Sequence, residues 1–166
     1  MNLIVVKDYE AMSRKAADIF SALLTLKRDC VLGLATGSTP VGMYKELQRR
    51  NRNGEISFKD VKTVNLDEYY PISPDNEQSY RHFMNENLFR KINIPMRNTH
   101  LLNGLAKDLD KECSNYESAI KRAGGIDIQV LGIGSDGHIA FNEPGRSLRS
   151  RTGVVYLTPS TIKDNA

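Results

Sequence analysis

No run of apolar residues in this chain approaches the roughly 20 needed to cross a bilayer, so no membrane-spanning helix is expected. The start, "MNLIVVKDYEAMSRK", has neither a basic leader nor a small-residue cleavage site, and no export signal is read there. Cysteine is scarce. Cys30 and Cys113 are the only two, which excludes a disulfide framework and favours two reduced thiols in a cytoplasmic protein over one bridge. Charge of one sign is lacking too, because the net value is only +3. The clusters "RRNRN" (Arg49, Arg50, Arg52) and "RSLRSR" (Arg146, Arg149, Arg151) are not interleaved with aromatics or laid along one long helix. They read as solvated loop charge rather than a nucleic-acid footprint, with Arg146 alone close to a glycine-rich loop where an anion could sit. Internal repeats, low-complexity tracts and linker-like stretches are absent. What is present is an ordinary globular composition, 40% apolar and 26% charged over 166 residues, enough for one domain with a sizeable core.

The apolar pattern alternates strand and helix. "LIVV" (3–6) reads as a short strand. From Asp8, a candidate N-cap, Met12, Ala16, Ile19, Leu23 and Leu26 recur at helical spacing. "CVLGLA" (30–35) is a buried strand followed by "TGSTP", where Thr39 is read as a cap and Pro40 as the first helical residue. Val41, Tyr44 and Leu47 then share a helix face. "VKTVNL" (61–66) is the next strand and "SYRHFMNENLFRKI" (79–92) the next helix, with Tyr80, Phe83, Met84, Leu88 and Ile92 as its buried stripe. "THLLN" (99–103) is short and extended, and 107–123 is helical. "GGIDIQVLGIG" supplies another strand and "VVYLT" (154–158) a further one, before "PSTIKDNA" opens a last helical turn. The predicted fold class is therefore α/β: an open, mostly parallel, doubly wound Rossmann-like sheet with helices on both faces. Such sheets bind ligands at the carboxyl ends of their strands, where strand order reverses.

Three unusual stretches fall at that edge. "ATGSTP" joins a strand to a helix start, where free N–H groups favour an anion. Gly37 lets the backbone approach closely, and Thr36, Ser38 and Thr39 offer hydroxyls. No lysine follows the second glycine, so this is not a nucleotide P-loop. The alternative is an ordinary glycine turn. "NLDEYY" places Asp67 and Glu68 where a strand ends. A carboxylate withdrawn from water there can serve as a base near neutral pH, and the alternative is an acidic turn that caps the next element.

The third stretch, "LGIGSDGHIAFNEPG" (131–145), formally matches the dinucleotide fingerprint at Gly132, Gly134 and Gly137. A true fingerprint enters a helix and is followed about 20 residues later by an acid for the ribose. Here Pro144 and Gly145 interrupt any helix, and "VVYLT" carries no acid near its end. A metal site is disfavoured because His82 and His100 lie in other elements and no further ligand presents itself. What remains is His138 flanked by Asp136 and Glu143. A carboxylate on one ring nitrogen fixes the tautomer and leaves the other for proton transfer. With no serine or cysteine nucleophile evident, this suggests acid–base chemistry, with a structural loop histidine as the alternative.

Together, "LGLATGSTPVGMYKEL", "NLDEYY", "SYRHFMNENLF" and "LGIGSDGHIAFNEPG" resemble the glucosamine-6-phosphate deaminase family, in order and spacing, over essentially the whole chain. Related phosphogluconolactonases share the Gly-Asp-Gly-His core, whereas Phe-Asn-Glu-Pro after it is similar to the deaminases. The resemblance implies conversion of glucosamine 6-phosphate and water to fructose 6-phosphate and ammonia. It implies no redox cofactor and no catalytic metal. Because water is consumed, the reaction is classed here with the hydrolases. By the same resemblance Asp67 would take the C2 proton and return one to C1. His138 would assist ring opening, with Asp136 and Glu143 orienting it, and Thr36, Gly37, Ser38 and Thr39 would line the sugar-phosphate site.

The resemblance also sets expectations about extent. Family members continue past the equivalent of Ala166 by something like a third of the domain, into an Arg-Phe-Phe run, a lysine and a lid. Residues 1–166 are thus read as a single catalytic α/β domain, incomplete at its C-terminal end, with weak or no turnover alone. The expected partner is the sugar phosphate, with a homo-oligomer left open, no nucleic acid and no membrane. Gly153 and Val155 stand where effector-activated members carry basic residues, so activation by an N-acetylated sugar phosphate is not expected. Two rival readings remain, a non-catalytic sugar-phosphate sensor and a 6-phosphogluconolactonase-like hydrolase. Retention of Asp67, Asp136, His138 and Glu143 argues against the first, and Asn142-Glu143-Pro144 against the second.

Overall fold

The computed structural model describes residues 2–134, 137–145, 147 and 149–158. Helix α1 (Tyr9–Leu26) leads to strand β1 (Val31–Leu34), helix α2 (Val41–Arg52) and strand β2 (Lys62–Asn65). Helix α3 (Tyr80–Asn87), strand β3 (Thr99–His100), helix α4 (Leu109–Arg122) and strand β4 (Ile128–Gln129) follow. Every pairing is parallel and the order is β3-β2-β1-β4. The chain steps outward from β1 to β2 to β3, then returns to the other side of β1. The order therefore reverses between β1 and β4, which is where such sheets open a crevice.

Alternation along the strands divides the core. Leu32 and Leu34 point to one face and pack with Ala17, Phe20 and Leu24 of α1, Met43, Tyr44 and Leu47 of α2, and Met84 of α3. Val31 and Val64 point to the other face and meet Tyr116 and Ile120 of α4. Helices thus cover both faces, but unequally. α4 alone, among the described helices, backs the second face, and beside it a cleft of about 840 Å³ runs along the sheet.

The helix starts follow local chemistry. Asp8 accepts from the Ala11 amide at 2.7 Å, Ser79 from His82 at 3.0 Å and Asp108 from Lys111 at 3.0 Å, each satisfying a donor the helix leaves free. α2 departs from expectation. Pro40, itself helical in φ and ψ, takes the cap position without a side-chain bond, and Thr39 does not cap. The Gly42 amide is satisfied instead by the Tyr9 hydroxyl of α1, at 2.8 Å.

Several other expectations are corrected. Residues 3–6 form no strand, and Leu3 and Val5 stand 81% and 85% exposed. Residues 154–158 are not in the sheet either, and Tyr156 is 92% exposed. An apolar run becomes a strand only when a neighbouring edge takes up its N–H and C=O groups, and neither run pairs with β3 or β4. β4 itself shrinks to two residues because it lies at the sheet edge, leaving Ile133 in water. The 79–92 helix breaks after Asn87 into a 3₁₀ turn, Phe89–Lys91. The helical turn expected from residue 159 onward lies outside the described residues. Both cysteines are free thiols, Cys30 buried at the start of β1 and Cys113 on α4.

Candidate functional site

The carboxyl end of the sheet is held open by tyrosines. Ala35, just past β1, accepts from the Tyr44 hydroxyl at 2.6 Å. The following loop turns at Gly37, whose φ of +87° suits a residue without Cβ. Its carbonyls at Ser38 and Thr39 each lie 3.0 Å from the Tyr9 hydroxyl. Gly37, Ser38 and Thr39 are exposed and Thr36 is half-buried. At the end of β2, the Tyr116 hydroxyl receives the Asn65 amide at 3.0 Å and lies 2.8 Å from the Asn65 carbonyl and 3.1 Å from that of His100. One side chain of α4 thereby fixes the ends of β2 and β3.

The two carboxylates that follow β2 divide the alternatives left by the sequence. Glu68 is the cap. It accepts from the amides of Tyr69 and Tyr80 at 2.9 Å each and from Arg81 at 3.0 Å, at the start of α3. Asp67 is left for other work. Burial chiefly, and then the adjacent Glu68 charge, push its pKa from 3.8 to about 7, while a hydrogen bond from the Phe141 amide partly offsets the rise. A carboxyl poised there exchanges a proton near neutrality.

Phe141 belongs to the glycine-rich loop. Gly134 donates to the His138 carbonyl at 2.9 Å and Gly137 to that of Gly134 at 3.0 Å. Ile139 and Asn142 bridge across a tight turn, at 3.2 and 3.0 Å. Within that turn Ala140 has φ +55°, a left-handed conformation that costs an alanine about 1–2 kcal/mol. Strain of this kind persists where surrounding structure imposes it. Here it turns Phe141 inward, where the ring is buried and the amide meets Asp67. His138 is half-buried, its ring lying against Gly134 so closely that a Cβ there would overlap the imidazole. The Glu143 carboxylate accepts from the Thr158 hydroxyl at 3.2 Å. Asp136 lies outside the described residues.

The structure therefore brings Asp67 to the loop three residues from His138, and it adds a residue that the sequence placed only in a buried stripe. Tyr80, the first residue of α3, lies with its hydroxyl 3.4 Å from that of Tyr69. Burial first, and then the nearby Asp67 charge, raise its pKa, so the phenol stays protonated. A buried tyrosine needs a partner for its hydroxyl, and that was the available signal. The large cleft is lined by Asp67, Glu68, Tyr69, Phe141 and Asn142 at one end and by α4 and residues 150–157 along its length. Ser38 and Thr39 open onto a separate hollow with Tyr9 and Met12. Among the described residues, no three His, Cys, Asp or Glu side chains converge to hold a metal ion, and no helix is long and apolar enough to cross a membrane.

Residues 7–164 match the model of the family described as glucosamine-6-phosphate isomerases/6-phosphogluconolactonase. The chain belongs to this family. Relatives named glucosamine-6-phosphate deaminase from Clostridioides difficile and Clostridium beijerinckii are 55% and 56% identical over all 166 residues. Those residues correspond to 67% and 69% of the two relatives, so the chain spans about two thirds of their length. Among solved structures, a monomeric glucosamine-6-phosphate deaminase superposes with a TM-score of 0.97 at 44% identity, covering the whole chain and 69% of its own. A 6-phosphogluconolactonase from Thermotoga maritima gives 0.70 at 26% identity, over 82% of this chain and 62% of its own. These likenesses correct the reaction class read from the sequence. The relatives that match over the whole chain are named deaminases and the family description names isomerases, so the hydrolase class is not kept for this chain. The likeness to a monomeric relative also gives no support to a self-associated state.

Proposed function

We propose that this family member converts glucosamine 6-phosphate to fructose 6-phosphate and ammonia. The observation that supports the reading best is the Asp67 carboxyl, held near pKa 7 by burial and touched by the loop that carries His138. Loss of the C2 proton from the open-chain aldehyde to Asp67 gives an enolamine. Return of that proton to C1 leaves a C2 iminium, and water then displaces ammonia to form the ketone. Each step is a proton transfer or a water addition, so neither a redox cofactor nor a metal is required. His138 assists ring opening, and Asp136 and Glu143 orient it. Thr36, Gly37, Ser38 and Thr39 receive the sugar phosphate through hydroxyls and loop amides. Residues 1–166 act as one catalytic domain in this reading. Turnover by the chain is expected to be slow, because Leu131 and Ile133 leading into the loop stand in water and the cleft beside Asp67 is open along the sheet.

The reading is tested by exchange of the C2 hydrogen of glucosamine 6-phosphate in D2O, followed by NMR at high protein concentration, with ammonia measured in parallel. Exchange that disappears in Asp67→Asn while the sugar phosphate still binds supports the assignment. Exchange that survives the substitution removes Asp67 as the base. Hydrolysis of a 6-phosphogluconolactone without any C2 exchange favours the lactonase branch of the family.

A further inference from the structure

We propose that Tyr80 is a positioning residue of this site, its ring clamping Phe141 so that the Phe141 ring keeps water off Asp67. The inference rests on the reading above only for the role given to Asp67. Three rings from three segments meet here: Tyr69 after β2, Tyr80 at the start of α3, and Phe141 in the glycine-rich loop. Tyr69 and Tyr80 have centroids 4.9 Å apart, Tyr69 and Phe141 5.0 Å, and Tyr80 and Phe141 5.7 Å with planes only 25° apart. Each such pair favours a fixed mutual orientation beyond simple burial. Tyr80 is fixed at its backbone, its amide held at 2.9 Å by the Glu68 carboxylate that also holds the Tyr69 amide. Its hydroxyl reaches that of Tyr69, at 3.4 Å. The clamp thus runs from a fixed helix start to a loop that must hold Ala140 in an unfavourable conformation.

The groups around Asp67 identify what loss of the clamp would change. Glu68 adjoins it in the chain, Tyr80 faces it from α3, and Tyr116 faces it from α4. The Phe141 amide faces it from the loop, with His138 three residues earlier. Burial is the largest influence on this carboxyl, and two of the three clamp rings, Tyr69 and Phe141, line the cleft from which water would enter. A Tyr80 that is merely part of the core would change stability alone. A Tyr80 that positions the loop changes how Asp67 titrates.

The experiment labels aspartate carboxyl carbons in the full chain and follows Asp67 by NMR from pH 4 to 9, in the wild type and in Tyr80→Phe and Tyr80→Leu. Tyr80→Phe keeps the ring and is expected to keep the midpoint. Tyr80→Leu removes it and is expected to lower the midpoint by about one pH unit or more as water reaches the carboxyl. If circular dichroism shows that the leucine variant does not fold, Phe141→Leu opens the same stack from the other side and carries the same expectation. A midpoint unchanged in a folded ringless variant overturns the proposal, as does a Tyr80→Phe variant that shifts as far as Tyr80→Leu. No turnover enters the measurement, so an absence of deaminase activity would count against the proposed function and leave the clamp standing.

Discussion

Asp67, after β2, and Phe141, in the glycine-rich loop, line the same end of the cleft, where the Phe141 backbone faces the Asp67 carboxyl. Burial and Glu68 outweigh that backbone and leave the carboxyl half-ionised near pH 7. Proton abstraction needs the ionised form, so the C2 exchange rate at limiting substrate is expected to rise with pH and level off above about 7. Rate measurements between pH 5 and 9 check this. A limb centred near pH 4 would show an Asp67 in contact with water.

The same residue bears on stability. Its folded pKa of about 7 exceeds its ordinary 3.8, so the folded state binds a proton that the unfolded state has released. Stability is unaffected below pH 4, falls between pH 4 and 7, and is lowest above pH 7. The gap is worth up to about 4 kcal/mol. Asp67→Asn removes the cost while its amide oxygen can still accept from Phe141. The variant is therefore expected to melt up to about 10 °C above the wild type at pH 8 and alongside it at pH 4. Calorimetry at both values decides, and a gain of the same size at pH 4 would exclude the charge as its source.

The parallel sheet was legible because 30–35 reads as a near-continuous apolar run of strand length and strand and helix patterns alternate after it, and because Asp8 sits one residue before its helix. The failures share a cause. Residues 3–6 and 154–158 have strand composition, but pairing belongs to the neighbouring edge and not to the run itself. The candidate site was legible at Asp67, which the structure brings to the loop bearing His138. Composition could not say which of Asp67 and Glu68 is the cap, since that depends on amides 12 and 13 residues away. Nor could a helical stripe reveal that Tyr80 turns its hydroxyl to Tyr69 and its ring to Phe141.

Tyr9 makes a second mechanical claim. Its hydroxyl accepts from the Gly42 amide and lies within donating distance of the Ser38 and Thr39 carbonyls, in place of the missing threonine cap of α2. Tyr9→Phe is expected to cost about 1 kcal/mol of stability. It should also weaken sugar-phosphate binding several-fold, because the loop that presents its amides loses its anchor. Urea unfolding and isothermal titration measure the two effects. A loss of stability with unchanged affinity would show that Tyr9 steadies α2 and not the loop.

Gly134 tests whether the position of His138 matters. The glycine has no left-handed φ to defend; it is required because a Cβ would collide with the His138 ring. Gly134→Ala must therefore displace either the imidazole or the loop. Nearby Ile133 is already 77% exposed, so the fold has little to lose there and the melting temperature should hardly move. C2 exchange should fall on the order of 10²-fold if His138 transfers a proton during ring opening. The companion variant His138→Asn should then add little to Gly134→Ala, since both remove the same group from the same place. If instead Gly134→Ala exchanges at the wild-type rate with a folded chain, a displaced imidazole is tolerated. Ring opening then has to be assigned to another group in the loop.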